Sequence, residues 1–245
     1  MNKIMCENFT CDEFFSGKLK LLQPLTGPRV NLDTILLASW VKLRSRDSRI
    51  IEAGCASGAI SLILAMKFGA KIQVTGLDIQ RELIELAERN AQINSLNNIS
   101  FINGDLRDKN IFSREAFDVL VINPPYESLS RGRLSSNSSR STARLELSCT
   151  IDDVGEFAFR VLKSNGRMFC VFSSERLDVF MNAMTSHKII PKRIRFVYPK
   201  MNYNSGIFLS ECVKNGGEGL NILPPLIVRD ENNNYTQELL KSYEI

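Results

Sequence analysis

From Arg49 onward, short apolar runs alternate with stretches whose apolar residues recur at helical spacing. RIIEAGC (49–55) predicts a strand, AISLILAMKF (59–68) a helix, KIQVTGLD (71–78) a strand and QRELIELAERNAQINSL (80–96) an amphipathic helix. In that last helix Leu83, Ile84, Leu86, Ala87 and Ile93 share one face, while Arg81, Glu82, Glu85, Glu88 and Arg89 cover the other. ISFINGD (99–105) and FDVLVINPPY (117–126) follow as strands. Beyond a polar insert come a helix (151–163), the strand GRMFCVFS (166–173) and a further helix (175–187). This βαβα order predicts an α/β fold with a parallel sheet covered on both faces.

The last sixty residues change pattern. KRIRFVYP (192–199) and GIFLSECVKN (206–215), joined by a short polar link, predict two adjacent antiparallel strands closing the sheet edge. Upstream, DTILLASWVKL (33–43) has helical spacing, with Asn31 or Asp33 as its cap. Residues 1–44 are therefore expected as a segment packed on a core formed by 45–245. The Ser-rich tract SSNSSRST (135–142) marks 127–148 as a mobile loop.

Composition adds boundaries. At 245 residues with 44% apolar and 24% charged residues, the chain has ordinary globular make-up. The net charge of +4 is too small to argue for a nucleic-acid partner by itself. Six cysteines are scattered without a C-x-x-C pair, which suggests no metal site and reduced thiols in a cytoplasmic protein. No apolar stretch nears the ~20 residues that cross a bilayer, so no membrane partner is expected.

Three constellations carry chemistry. Glu52-Ala53-Gly54-Cys55-Ala56-Ser57-Gly58 places small residues at a strand-to-helix junction, where a ligand can approach the backbone and an anionic group can meet free N–H groups. The next two strands end in Asp78 and Asp105, at the edge where doubly wound sheets bind ligands. Asp78 is placed to accept from ribose hydroxyls, and Asp105 from an exocyclic amine with Leu106 against the ring. A dehydrogenase would use the same crevice. The discriminating feature is Asn123-Pro124-Pro125-Tyr126. Its prolines end the strand and stiffen the turn, so that the Asn123 amide oxygen and the Pro124 carbonyl can grip a planar NH2 group while Tyr126 stacks on the ring.

These motifs in this order, EAGCASG, GLDIQ, NGDLRD and VINPPY, resemble the class I S-adenosylmethionine-dependent methyltransferases, in the branch that methylates planar nitrogen. Within it the chain is similar to the bacterial tRNA adenine-N6 methyltransferases that modify the adenosine 3′ of the anticodon of valine tRNA. FFSGKLKLLQPLTGPRVNLDTILLASW, STARLE, PKRIRFVYPK and GGEGLNILPPLIV extend the likeness toward both ends. The resemblance implies a Rossmann-like, seven-stranded, mostly parallel sheet with an antiparallel edge strand and helices on both faces. It implies a cofactor site at Glu52, Gly54, Ser57, Gly58, Asp78, Ile79, Asp105, Leu106 and Asn123, closed over by Asn31 and Asp33. The catalytic motif is then Asn123, Pro124, Pro125 and Tyr126.

The implied reaction consumes S-adenosyl-L-methionine, yields S-adenosyl-L-homocysteine and needs neither a metal nor an obligatory general base. The implied partner is tRNA, held by phosphate contacts from Arg131, Arg133, Arg140 and Arg144 and from a second basic stretch containing Lys188, Lys192, Arg193, Arg195 and Lys200. The oligomeric expectation is a monomer or weak dimer. Two departures stand out: Ala56 occupies the place of a third glycine, and ARLE replaces the more usual ARHE, so that Leu145 removes a polar residue. The alternatives are methylation of guanine N2 in ribosomal RNA, methylation of a release-factor glutamine, and an RNA-binding module that has lost its cofactor.

Overall fold

The computed structural model describes residues 4–6, 9–124 and 149–244. Strands β4 (Arg49–Ala53), β5 (Gln73–Asp78), β6 (Ile99–Asn103), β7 (Phe117–Ile122), β8 (Leu162–Ser173), β9 (Ile189–Tyr198) and β10 (Ile207–Lys214) form one sheet in the order β9-β10-β8-β7-β4-β5-β6. Two-residue strands β11 (Asn221–Ile222) and β12 (Leu226–Ile227) add parallel pairs to β9, making nine strands in that sheet among the described residues. β10 alone among the long strands runs antiparallel to its neighbours, pairing so with both β8 and β9. The antiparallel strand expected at the edge is thus inserted one position inward, with β9 outside it.

Alternating side chains divide the interior into two cores. Ile50, Val119, Val121, Phe169 and Val171 face one way and pack with helices α1 (Leu32–Trp40) and α2 (Ala59–Phe68). Ile51, Leu120, Ile122, Met168, Cys170 and Phe172 face the other way and pack with α4 (Ile151–Val161) and α5 (Leu177–Ser186). The period-two pattern of a strand covered on both faces explains why β4, β7 and β8 read as nearly continuous apolar runs. Cys170 and Cys212 are buried free thiols within the second core. No helix among the described residues is long and apolar enough to cross a membrane.

The first residues form a separate antiparallel sheet of β1 (Ile4–Cys6), β2 (Phe9–Phe14) and β3 (Leu19–Pro24). This sheet is tied to helix α3 (Arg81–Ile93) and the residue after it. Asn90 Oδ1 accepts from Leu22 N (2.7 Å) while its Nδ2 donates to Leu22 O (2.9 Å). Asn94 makes the same pair of bonds with Lys20, at 2.9 and 2.6 Å. Four residues along a helix rise about 6 Å and two along a strand about 6.8 Å, so two asparagines at i and i+4 can satisfy alternate residues of a strand edge. Asn90 Nδ2 also donates to Ser57 O (2.9 Å), which connects the small sheet to the loop after β4.

Candidate functional site

The loop between β4 and α2 threads three left-handed residues, Gly54 (φ +70°), Ala56 (φ +47°) and Gly58 (φ +83°). Gly54 N and Cys55 N both donate to Leu77 O, at 2.8 and 3.0 Å, which pins the loop to the end of β5. A Cβ on Gly58 would lie 2.8 Å from both Leu62 Cδ1 and Phe101 Cζ, so this position needs glycine for space as well as for φ. Gly58 also opens α2 without a side-chain cap. The missing cap comes instead from β4, because Glu52 Oε2 accepts from Ser61 N (2.7 Å) and from the Ser61 hydroxyl. Glu52 is buried, and that burial pushes its carboxyl up to about 8 despite the Ser61 bonds, with the nearby Asp78 charge adding to the rise.

Asp78, the last residue of β5, turns its carboxylate back on the same loop. Its Oδ2 accepts from Ala56 N (2.8 Å) and its Oδ1 from Gln80 N (2.9 Å). Burial raises its carboxyl above the usual range, partly offset by those N–H donors. Asp105 is held differently, as a paired partner of Arg107, whose Nη2 lies 2.6 Å from Asp105 Oδ2. The guanidinium beside it holds the Asp105 carboxyl below its ordinary value. Ile79 is exposed, and Leu106 packs at the border of the second core.

A cleft of about 490 Å³ opens above this loop. Its walls are the strap Gly27–Asn31, Thr34, Glu52, the loop Gly54–Ser57, the start of α2 at Ala59 and Ile60, and Asn123 beyond the end of β7. Of the residues singled out from sequence, Asn31, Glu52, Gly54, Ser57 and Asn123 meet on its surface. Asp33, Gly58, Asp78, Ile79, Asp105, Leu106 and Pro124 do not line it. Gly58 and Asp78 nevertheless shape it, the first by starting α2 and the second by fixing Ala56. Pro125, Tyr126, Arg131, Arg133, Arg140, Arg144 and Leu145, with most of the loop expected over 127–148, lie outside the described residues.

Asn31 caps α1 in a reciprocal box with Thr34, accepting from Thr34 N at 3.0 Å. The strap before it owes its path to a polar cluster that sequence reading missed. Arg29 donates to Asp12 Oδ2 (2.6 Å), Thr10 Oγ1 (2.9 Å) and Pro24 O (2.6 Å). Gln23 bridges Asp12 Oδ2 (2.6 Å) to Val30 N (2.7 Å). No local signal marks these contacts, since they join residues from three separate segments. In the second basic stretch, several cations are engaged within the fold. Lys192 donates to Gly217 O and Glu218 O, Arg193 to Glu211, and Arg195 to Glu238 and Pro224 O.

A glycine-bearing loop under a cleft at the carboxyl edge of a doubly wound sheet is a general nucleotide-site geometry. The comparison that narrows it is a match of residues 44–213 to the methyltransferase domain family. The chain belongs to that family. As a methyltransferase-domain protein it is 33% identical over 114 residues to a release factor glutamine methyltransferase of Aliivibrio fischeri, a match covering 46% of this chain and 39% of that protein. It is 31% identical over 144 residues to a tRNA1(Val) (adenine(37)-N6)-methyltransferase of Dickeya chrysanthemi, covering 58% of this chain and 55% of the other. The matched stretch therefore spans about half, or less, of these relatives' own length. Its fold is shared by a crystal structure described as a predicted O-methyltransferase from Agrobacterium tumefaciens. The TM-score is 0.70 at 20% identity, over 86% of this chain and 97% of that one.

Proposed function

We propose that this protein transfers a methyl group from S-adenosylmethionine to the exocyclic N6 amine of an adenosine in tRNA, the adenosine 3′ of the anticodon in valine tRNA. One observation carries the reading: Asn123, at the end of β7, lines the same cleft as the loop Gly54–Ser57. An amide oxygen that can hold a planar NH2 group and a backbone cradle for a nucleoside therefore share one cavity. Its volume lies within the few hundred Å³ that ligand sites occupy. The tRNA relative also matches this chain over a longer stretch than the release-factor relative does, 144 residues against 114.

The fit to the cofactor rests on the loop and the strap. Gly54 offers a backbone surface with no atom crowding the position of a Cβ, and Asn31 and Glu52, far apart in sequence, both line the cleft. When bound, the cofactor supplies a methyl group activated by a sulfonium centre. The chain's own part is alignment. Asn123 Oδ1 on the cleft wall accepts from the NH2 group, with the carbonyl of Pro124, one residue beyond the lining, as the second acceptor; together they draw the nitrogen's lone pair out of conjugation and toward the methyl, and orientation supplies much of the remaining advantage. The segment 1–44 contributes the strap, through Asn31, as the wall that closes over the amino-acid end. Asp78 and Asp105, outside the cleft lining, are assigned to the ribose and the base, which requires Asp78 to share the oxygens that accept from Ala56 N and Gln80 N and Arg107 to share or release the Asp105 carboxylate.

Purified protein incubated with methyl-labelled cofactor and separate pools of tRNA, ribosomal RNA and release factor tests this. The expected product is labelled N6-methyladenosine in tRNA. Asn123→Ala should lower the transfer rate at saturating substrate by about 100-fold, the size of a lost transition-state donor or acceptor. Label in a release-factor glutamine would favour the second reading, for which the Aliivibrio fischeri relative speaks. An unchanged rate for Asn123→Ala would remove the proposed grip altogether.

A further inference from the structure

The connection between β9 and β10 stands at the same sheet edge as the cleft. β9 runs parallel to β8, so its end at Tyr198 points the way β7 points at Ile122. Register fixes how far the connection projects. Ile122 pairs with Cys170 on β8, while Ile207, the first residue of β10, pairs with Ser173. The connection thus stands three residues, or roughly 10 Å, beyond the level where β7 ends, and two to three strand spacings, roughly 10 to 14 Å, to its side.

At its tip Met201 is 68% and Tyr203 61% exposed, flanked by the exposed Asn202 and Asn204. This exposure is built, not frayed. Tyr203 N closes a turn on Lys200 O (3.1 Å), and Gly206 N returns to Val197 O (3.2 Å). Ser205 Oγ lies 3.0 Å from Val197 O and 2.7 Å from the Ser174 hydroxyl, while Ser174 N donates to Gly206 O (3.1 Å). The base of the tip is thereby anchored to the residues that follow β8, and the aromatic ring is presented on a held backbone.

The stretch of chain that carries the tip is basic. No Asp or Glu occurs from residue 179 to 210, a stretch holding five Lys and Arg residues. Within it Arg193 and Arg195 pair internally and Lys192 serves carbonyls, whereas the Lys200 side chain makes no hydrogen bond or ion pair among the described residues. An exposed aromatic beside a cation without an ion pair is the chemistry that stacks on an unpaired base and meets its phosphate. A protein partner of ordinary acidity would be served by the cations but would leave a protruding tyrosine without a pocket.

We infer that the β9–β10 tip, through Tyr203, Met201 and Lys200, is a second contact for single-stranded RNA, stacking on a base a few nucleotides from the one in the cleft. The inference rests on the reading of an RNA substrate. Tyr203→Ala should raise KM for tRNA by about 5-fold or more, the lower bound for losing one base-aromatic stack, and Tyr203→Trp should restore it. Lys200→Glu should weaken tRNA binding further and flatten its dependence on salt. Cofactor affinity and melting temperature of the three variants should match the parent, since none of these side chains supports the fold.

Parent protein that methylates tRNA together with a Tyr203→Ala variant of equal KM would overturn the tip alone. A parent that methylates only release factor would overturn the RNA reading and the tip with it. Self-association of the parent that Met201→Ala and Tyr203→Ala abolish, with KM for tRNA unmoved, would assign the tip to a second copy of the chain and overturn its role toward RNA.

Discussion

At Ala56 the chain carries a methyl group through a left-handed conformation, φ +47°, in a loop whose neighbouring left-handed positions are glycines. The loop holds the residue there through its N–H, which reaches Asp78 Oδ2 at 2.8 Å. What the alanine costs is backbone strain of about 1 kcal/mol, not the shape of the site. Ala56→Gly should therefore raise stability by about 0.5 to 1 kcal/mol, the strain relief less part of glycine's entropy, visible as about 2 °C in thermal melting. A melting point lowered by the change would mean that the loop does not hold Ala56 in this conformation. Glu52 makes a second residue-scale prediction. Its folded carboxyl titrates at about 8 against an ordinary 4.5, so between those values the folded chain binds more protons than the unfolded one. Its contribution is full below about 4.5 and declines as pH rises toward 8, by at most about 1.4 kcal/mol per pH unit. Glu52→Gln keeps the acceptor for Ser61 and should flatten that part of the stability profile. Parallel profiles for parent and variant, measured by chemical denaturation across the same pH range, would show Glu52 ionised in its buried place.

At the scale of elements, legibility followed the range of the forces involved. α2 is read to the residue, Ala59–Phe68, because its apolar run is bounded by Gly58 and Gly69, both at positive φ. The parallel strands are equally plain, since helices on both faces force them to be apolar throughout. The hairpin of β2 and β3 escaped notice. Its turn, Phe15-Ser16-Gly17, has positive φ at all three residues, and Ser16-Gly17 between two extended runs was the available signal. The place of β10 inside β9 was also out of reach, because two antiparallel neighbours fit a sheet edge in either order. The site divides the same way. Loop residues contiguous in sequence, Glu52 to Ser57, were legible together with Asn123, while the Arg29, Asp12 and Gln23 cluster that holds the strap was not. Charge was the least informative, as the cations of β9 are partly consumed by Glu211, Glu238 and backbone carbonyls that no local pattern reveals.

Across the whole molecule, the terminal sheet and the loop between β4 and α2 are one mechanical unit, and Asn90 is the joint. Its single side chain satisfies both backbone groups of Leu22 on β3 and the carbonyl of Ser57 on the cleft wall, all in a fully buried position. A strand edge facing a helix has no ladder to continue into, so these groups lose every partner if the amide is removed. Asn90→Ala should cost about 3 kcal/mol, combining two or three buried polar groups left unsatisfied, and should weaken cofactor binding because Ser57 loses its tether. Asn94→Ala removes the analogous pair from Lys20, where water can replace it, and should cost about 1 kcal/mol with cofactor affinity unchanged. Urea denaturation and cofactor titration of the two variants separate these cases. Equal losses would mean that the asparagines act only as local ties of the small sheet. A cofactor defect confined to Asn90→Ala would mean that β3 and the loop lining the cleft are set by one shared amide.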